Sequence, residues 1–148
     1  MLRLILLRHG AAEPAAIDGN DFDRPLTRAG RDEATAAGRR IAAAGPAPQL
    51  VLTSPAVRAL ATAELAAGAA AVDAARIRQD AALYPGAAAT LKTAIERGAG
   101  GVQCLLVVGH NPALSDLASR LDPAGARVAL ATGAFHCLDL ALEDWRLP

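Results

Sequence analysis

Short unbroken apolar runs alternate along this chain with longer stretches whose apolar residues recur at helical spacing. The run Leu4-Ile5-Leu6-Leu7 predicts a first strand over residues 2–7, buried on both faces because no polar position interrupts it. A polar loop follows from Gly10 to about Pro25. Thr27 is placed to cap a helix over residues 28–44, which Gly45 and Pro46 stop. Residues 49–53 predict a second strand, and Ser54-Pro55 read as N-cap and first helical residue of a helix to Ala67. Residues 68–80 are weakly patterned, with a short strand expected near residues 76–78. A helix over residues 87–97 ends at Gly98-Ala99-Gly100-Gly101, a strand covers residues 102–108, and Pro112 opens a helix to Arg120. Residues 134–142 give the last strand.

Strand alternating with helix predicts an α/β fold with parallel strands and right-handed crossovers. No repeat or linker divides the chain, so one domain over residues 1–148 is expected. In open α/β sheets ligands bind beyond the carboxyl ends of the strands. Arg8-His9-Gly10 follows the first strand, Ser54-Pro55 with Arg58 follows the second, and Gly109-His110-Asn111-Pro112 follows the run Cys104–Val108. Three strand ends therefore offer Arg8, His9, Arg58 and His110.

Composition narrows what these residues can serve. With 53% hydrophobic residues, 20% charged residues and a formal net charge of zero, bulk charge argues against nucleic acid or an anionic membrane as partner. Any anion site must be a local cluster. Lys92 is the only lysine; together with abundant alanine this fits a GC-rich genome, so arginine content alone assigns nothing. Cys104 and Cys137 lack CxxC or zinc-type spacing and are expected to be reduced core residues. No secretory leader pattern and no apolar window of about 18 residues is present. A soluble, cytoplasmic protein is expected.

A phosphoryl group in transfer spreads charge over three oxygens, and the protein's work is positioning and electrostatic stabilisation. Two arginine forks, Arg8 and Arg58, suit adjacent phosphate oxygens. An unprotonated nitrogen of His9 could attack phosphorus in line, provided its partner nitrogen donates to an acceptor that fixes the tautomer. A backbone carbonyl in the following loop could be that acceptor. His110, if protonated, would add a charge-assisted bond to phosphate. Gly10 and Gly109 would allow close approach of backbone or ligand.

The segments Leu7-Arg8-His9-Gly10, Arg24-Pro25-Leu26-Thr27-x-x-Gly30, Ser54-Pro55-x-x-Arg58-Ala59-x-x-Thr62-Ala63 and Gly109-His110-Asn111-Pro112 together resemble the histidine phosphatase superfamily, which includes the cofactor-dependent phosphoglycerate mutases. The short chain looks most like the SixA-type protein-histidine phosphatases. The resemblance implies a three-layer α/β/α sandwich with a mostly parallel central sheet, a minimal phosphoglycerate mutase-like fold without a large lid insertion. It also implies His9 as the phosphorylated nucleophile, Arg8, Arg58, His110 and Gly10 as the phosphate pocket, and neither metal nor organic cofactor. One departure stands out. Larger members carry an acidic proton donor, usually glutamate, that follows the segment equivalent to residues 76–86, and that segment holds no glutamate here. Asp80 is a loose match; Asp21 and Asp23 are other candidates. General acid catalysis is worth roughly 10²–10⁴-fold, and an alkoxide needs it more than an imidazole leaving group does. A weak acid thus favours a phosphohistidine on a phosphotransfer-type protein domain over a small phosphorylated metabolite. A small-molecule phosphomonoesterase and a non-catalytic phosphate-binding module are the competing readings; a mutase would need a more enclosed site.

The remaining polar residues receive plainer readings. Ser54 and Thr27 are read as helix caps, Arg24 as a brace on the loop through a carboxylate, and Thr62 and Ala63 as packing behind the site. His136 is read as structural, and Tyr84 and Trp145 as too isolated to form a stacking surface. With 51 residues between Arg58 and His110, little chain is left for a lid and a shallow site is expected.

Overall fold

The computed structural model describes residues 1–148. Its strands are β1 (Leu2–Arg8), β2 (Leu50–Thr53), β3 (Ile77–Gln79), β4 (Cys104–Gly109) and β5 (Phe135–Leu140). The helices are α1 (Arg28–Ala43), α2 (Val57–Ala69), α3 (Ala88–Gly98) and α4 (Ala113–Leu121), with 3-10 turns at Asp21–Asp23, Ala74–Arg76 and Ala81–Leu83. The sheet runs β3-β2-β4-β1-β5, parallel throughout except for antiparallel β5.

Alternation along the strands builds the two cores. Leu4 and Leu6 of β1 join Leu105 and Val107 of β4 on the face covered by α3 and α4. Ile5 and Leu7 join Leu106 and Val108 on the face covered by α1 and α2. Three layers, α/β/α, result. Alanine lets α1 and α2 pack closely: Ala37 and Ile41 meet Ala59, Ala63, Ala66 and Ala67, and Gly38 lies against the backbone of Ala66, where a Cβ would not fit.

Most predicted elements fall within a residue or two of those found, and the differences have local causes. The second helix starts at Val57 rather than Pro55, with Ala56 as an N-cap lacking any side-chain bond. Ser54 is not its cap; the Ser54 hydroxyl accepts from Ala56 N at 3.2 Å in a tight turn. The fourth strand begins at Cys104, not Val102, because the Val102 carbonyl accepts from Trp145 Nε1 (2.7 Å) and Gln103 N donates to Gln49 Oε1 (2.7 Å). The short strand is Ile77–Gln79 rather than 76–78, since Arg76 closes a 3-10 turn capped by Asp73. The last strand stops at Leu140, where Leu142 N turns back to the Leu140 carbonyl at 2.8 Å. Thr27 caps α1 as expected, accepting from Gly30 N at 2.9 Å. No helix is long and apolar enough to cross a membrane.

Candidate active site

Sheet register assembles the site. Arg8 at the end of β1 pairs with Gly109 of β4, and Thr53 of β2 pairs with Val108. The next residues, His9, His110 and Ser54, therefore emerge side by side at the carboxyl edge. The chain leaving β1 goes to the α1 face and the chain leaving β4 to the α4 face. This divergence between adjacent strands opens the crevice in which α/β sheets bind ligands. From α2, Arg58 reaches into it.

Three of the four expected residues, His9, Arg58 and His110, meet there, while Arg8 ends β1 directly before His9. The rings of His9 and His110 have centroids 5.2 Å apart. Arg58 Nε donates towards His9 Nε2 at 3.4 Å, and Arg58 Nη2 towards His110 Nδ1 at 3.4 Å. His9 Nδ1 donates to the Gly10 carbonyl at 2.7 Å, leaving Nε2 as the unprotonated ring nitrogen that accepts from Arg58. His110 Nε2 donates to Ser54 Oγ at 2.8 Å. The two imidazoles are each only 8% exposed and Arg58 6%. Burial, then the Arg58 and Arg8 charges, lowers the His9 pKa to about 4, against one opposing hydrogen bond to Gly10. Burial, then His9 and Arg58, lowers that of His110 to about 4 as well. Both rings are neutral near pH 7. Arg8 donates from Nη1 to the Leu130 carbonyl at 3.2 Å, but its buried Nε has no partner.

Backbone contacts fix the loop beyond His9. Gly10 and Gly30 face each other's loops so closely that a Cβ on either would overlap main-chain atoms. Gly10 N donates to Thr62 Oγ1 at 3.1 Å, and that hydroxyl donates to the Arg58 carbonyl at 2.7 Å. Ala11 N donates to Glu33 Oε1 at 2.7 Å. Across β4, Asn111 Nδ2 donates to the same Leu130 carbonyl that holds Arg8, at 2.8 Å.

The carboxylates divide. Asp21 accepts from Arg58 Nη2 (2.9 Å), Tyr84 OH (2.6 Å) and Arg24 Nη1 (3.0 Å). The Tyr84, Arg24 and Arg58 hydrogen bonds, in that order, hold its carboxyl far below the usual range, so it carries no proton to donate at neutral pH. Asp80 is not brought to the cluster: its carboxylate accepts from Ala82 N (2.9 Å) and pairs with Arg97 (2.7 Å). Asp23 contributes only its backbone N–H, to Asn20 at 3.1 Å. His136 pairs with Asp122 at 2.9 Å, away from these residues. Clefts of 210 to 440 Å³ elsewhere on the surface are lined by none of His9, Arg8, Arg58 and His110. Asp21 and Tyr84 cover the Arg58 guanidinium.

Two residues of the cluster were not legible as such. Ser54 looked like a cap because serine before proline usually is one. Tyr84 looked isolated, yet its ring lies 5.3 Å from that of His110 and 5.9 Å from the Arg58 guanidinium carbon. Its place shortly after the short strand was the available signal.

Comparison with known proteins bears on this arrangement. The family described as the histidine phosphatase superfamily, branch 1, matches residues 4–84. A SixA structure from Agrobacterium tumefaciens, assigned as a phosphohistidine phosphatase, is 28% identical with TM-score 0.80, covering 93% of this chain and 91% of that one. A protein histidine phosphatase SixA in complex with tungstate is 25% identical with TM-score 0.81, over 94% and 88% of the two chains. A structure from Escherichia coli assigned as an α-ribazole-5'-phosphate phosphatase shares the fold at 24% identity and TM-score 0.72, over 97% and 93%. A search of curated proteins gave no match. The family match spans more than half of the chain, including β1, His9 and Arg58, and the chain belongs to the histidine phosphatase superfamily.

Proposed function

We propose that this phosphatase works through a covalent intermediate on His9 and that its substrate is phosphohistidine carried by a protein. One observation carries the reading. His9 is neutral, locked by the Gly10 carbonyl with Nε2 unprotonated, and set beside the Arg58 guanidinium. A nucleophile for phosphorus needs that combination. As its Nε2 bonds to phosphorus, the phosphorus–nitrogen bond of the substrate breaks. The substrate's other ring nitrogen, already protonated from solvent, lets the electron pair stay on a neutral departing imidazole. Water then attacks the phosphorylated His9, releasing orthophosphate and restoring the ring.

The buried, unpartnered Arg8 Nε supports a second hold on the phosphoryl oxygens. His110 is neutral in the free protein; an arriving dianion reverses the local field, so the ring can take up a proton at Nδ1 and donate it towards the phosphate. The cluster contains no protonated carboxyl group: Asp21 is ionised and Asp80 is occupied by Arg97. An alkoxide would leave unassisted from such a site, whereas an imidazole leaves readily, which favours a phosphoramidate bond over a sugar ester. The SixA neighbours support the same substrate class.

The test is incubation with a phosphorylated phosphotransfer domain. Release of phosphate, with a phosphorylated His9 trapped by neutral denaturing quench and located by mass spectrometry, is expected. Unchanged hydrolysis by His9→Ala rejects the mechanism, and faster turnover of a sugar phosphate rejects the substrate.

A further inference from the structure

Only four aromatic side chains exist in this chain, and two of them meet at the mouth of the His9 site. Phe22 lies on the 3-10 turn Asp21–Asp23 and Tyr84 directly after the turn Ala81–Leu83. Their rings pack edge to face with centroids 5.2 Å apart and planes at 87°. Tyr84 in turn sets its ring against His110, and Asp21 clasps both Tyr84 and Arg58. Phe22 belongs to neither core cluster and keeps 37% of its surface exposed. Its ring is thus held at an opening without serving the interior.

In-line transfer gives this position a chemical meaning. With His9 Nε2 attacking from the floor of the site, the departing group must leave on the opposite side of phosphorus, towards the solvent. Phe22 and Tyr84 form an aromatic wall next to His110 and Arg58. Aromatic rings pair favourably with other rings in stacked or edge-to-face geometry, beyond the area they bury. We propose that Phe22 and Tyr84 select the leaving group, receiving the planar imidazole of a phosphohistidine and giving no comparable contact to a group without a ring. This inference rests on phosphoryl transfer to His9.

Free phosphohistidine and simple phosphoramidate test it, since both present a phosphorus–nitrogen bond and only one leaves as a ring. The ratio of their kcat/KM values is measured for the wild type, Phe22→Ala and Phe22→Tyr, with the phosphorylated intermediate quantified in each. Phe22→Ala is expected to lower the ratio about fivefold to tenfold, chiefly through the KM of phosphohistidine, and Phe22→Tyr to restore it. An exposed position keeps the melting temperature of each variant within about 2 °C. A ratio unchanged by Phe22→Ala, or an equal fall for both substrates, overturns the wall, because the turn would then serve only to place Asp21 and Arg58. Failure of the underlying reading looks different: the wild type itself would turn over substrate without phosphate on His9.

Discussion

Lowering the pH from 7 to 5 should destabilise this protein through two imidazoles, and the size of the effect can be worked out. An isolated histidine titrates at 6.5, whereas His9 and His110 are both lowered to about 4, first by burial and then by neighbouring positive charge. Between those values the unfolded chain binds a proton on each ring that the folded chain refuses. Stability therefore rises with pH across this window and is lost as pH falls from 6.5 towards 4. At 1.36 kcal/mol per unit, one such ring loses about 2 kcal/mol between pH 7 and pH 5, and the pair about 4 kcal/mol at most. For a urea dependence of about 2 kcal/mol per molar, the unfolding midpoint should drop by roughly 2 M. Urea titrations followed by circular dichroism in phosphate-free buffer measure this directly. His110→Gln removes one titrating ring and should halve the drop. A wild-type midpoint that stays constant from pH 7 to 5, or an equal fall in the His9→Ala/His110→Gln double variant, would refute the claim that the fold keeps these rings neutral.

Arg58→Ala should lower kcat by about 10²–10³-fold in steady-state assays, as loss of a charge-stabilising donor does, and Arg58→Lys should recover little because the planar fork is gone. Thr62→Val leaves the buried Gly10 N–H without its acceptor, at about 1–3 kcal/mol, so a melting temperature lower by several degrees and a slower kcat are expected together. A chelator should leave turnover intact, since two guanidiniums supply the positive charge that a Lewis acid would otherwise provide; loss restored by a divalent ion would contradict this.

What the sequence made legible follows from how local each signal is. The buried strands were readable because their apolar runs are unbroken, and Thr27 because a cap is decided by its own hydroxyl and the Gly30 N–H three residues on. His9, Arg8, Arg58 and His110 were readable by resemblance, each lying beside a motif. Ser54 and Tyr84 were not, because their partners lie far along the chain: His110 is 56 residues from Ser54, and Asp21 is 63 from Tyr84. Asp21 was a candidate acid from its place in the loop after His9. Only three simultaneous donors, none adjacent to it, show that its proton is gone.

Charge ties these findings together. A chain of net charge zero gathers Arg8, Arg24 and Arg58 around one crevice and gives them a single carboxylate, Asp21, which is itself half exposed. The crevice is thus left positive while its histidines are uncharged. An incoming phosphoryl dianion meets guanidinium donors, one of them a buried Nε with no other partner. The same positive charges, acting on a ring already desolvated, oppose protonation of His9. Binding the anion and keeping the proposed nucleophile free of its proton are then not separate requirements: the arginines that attract phosphate also hold the imidazole lone pair available to attack it.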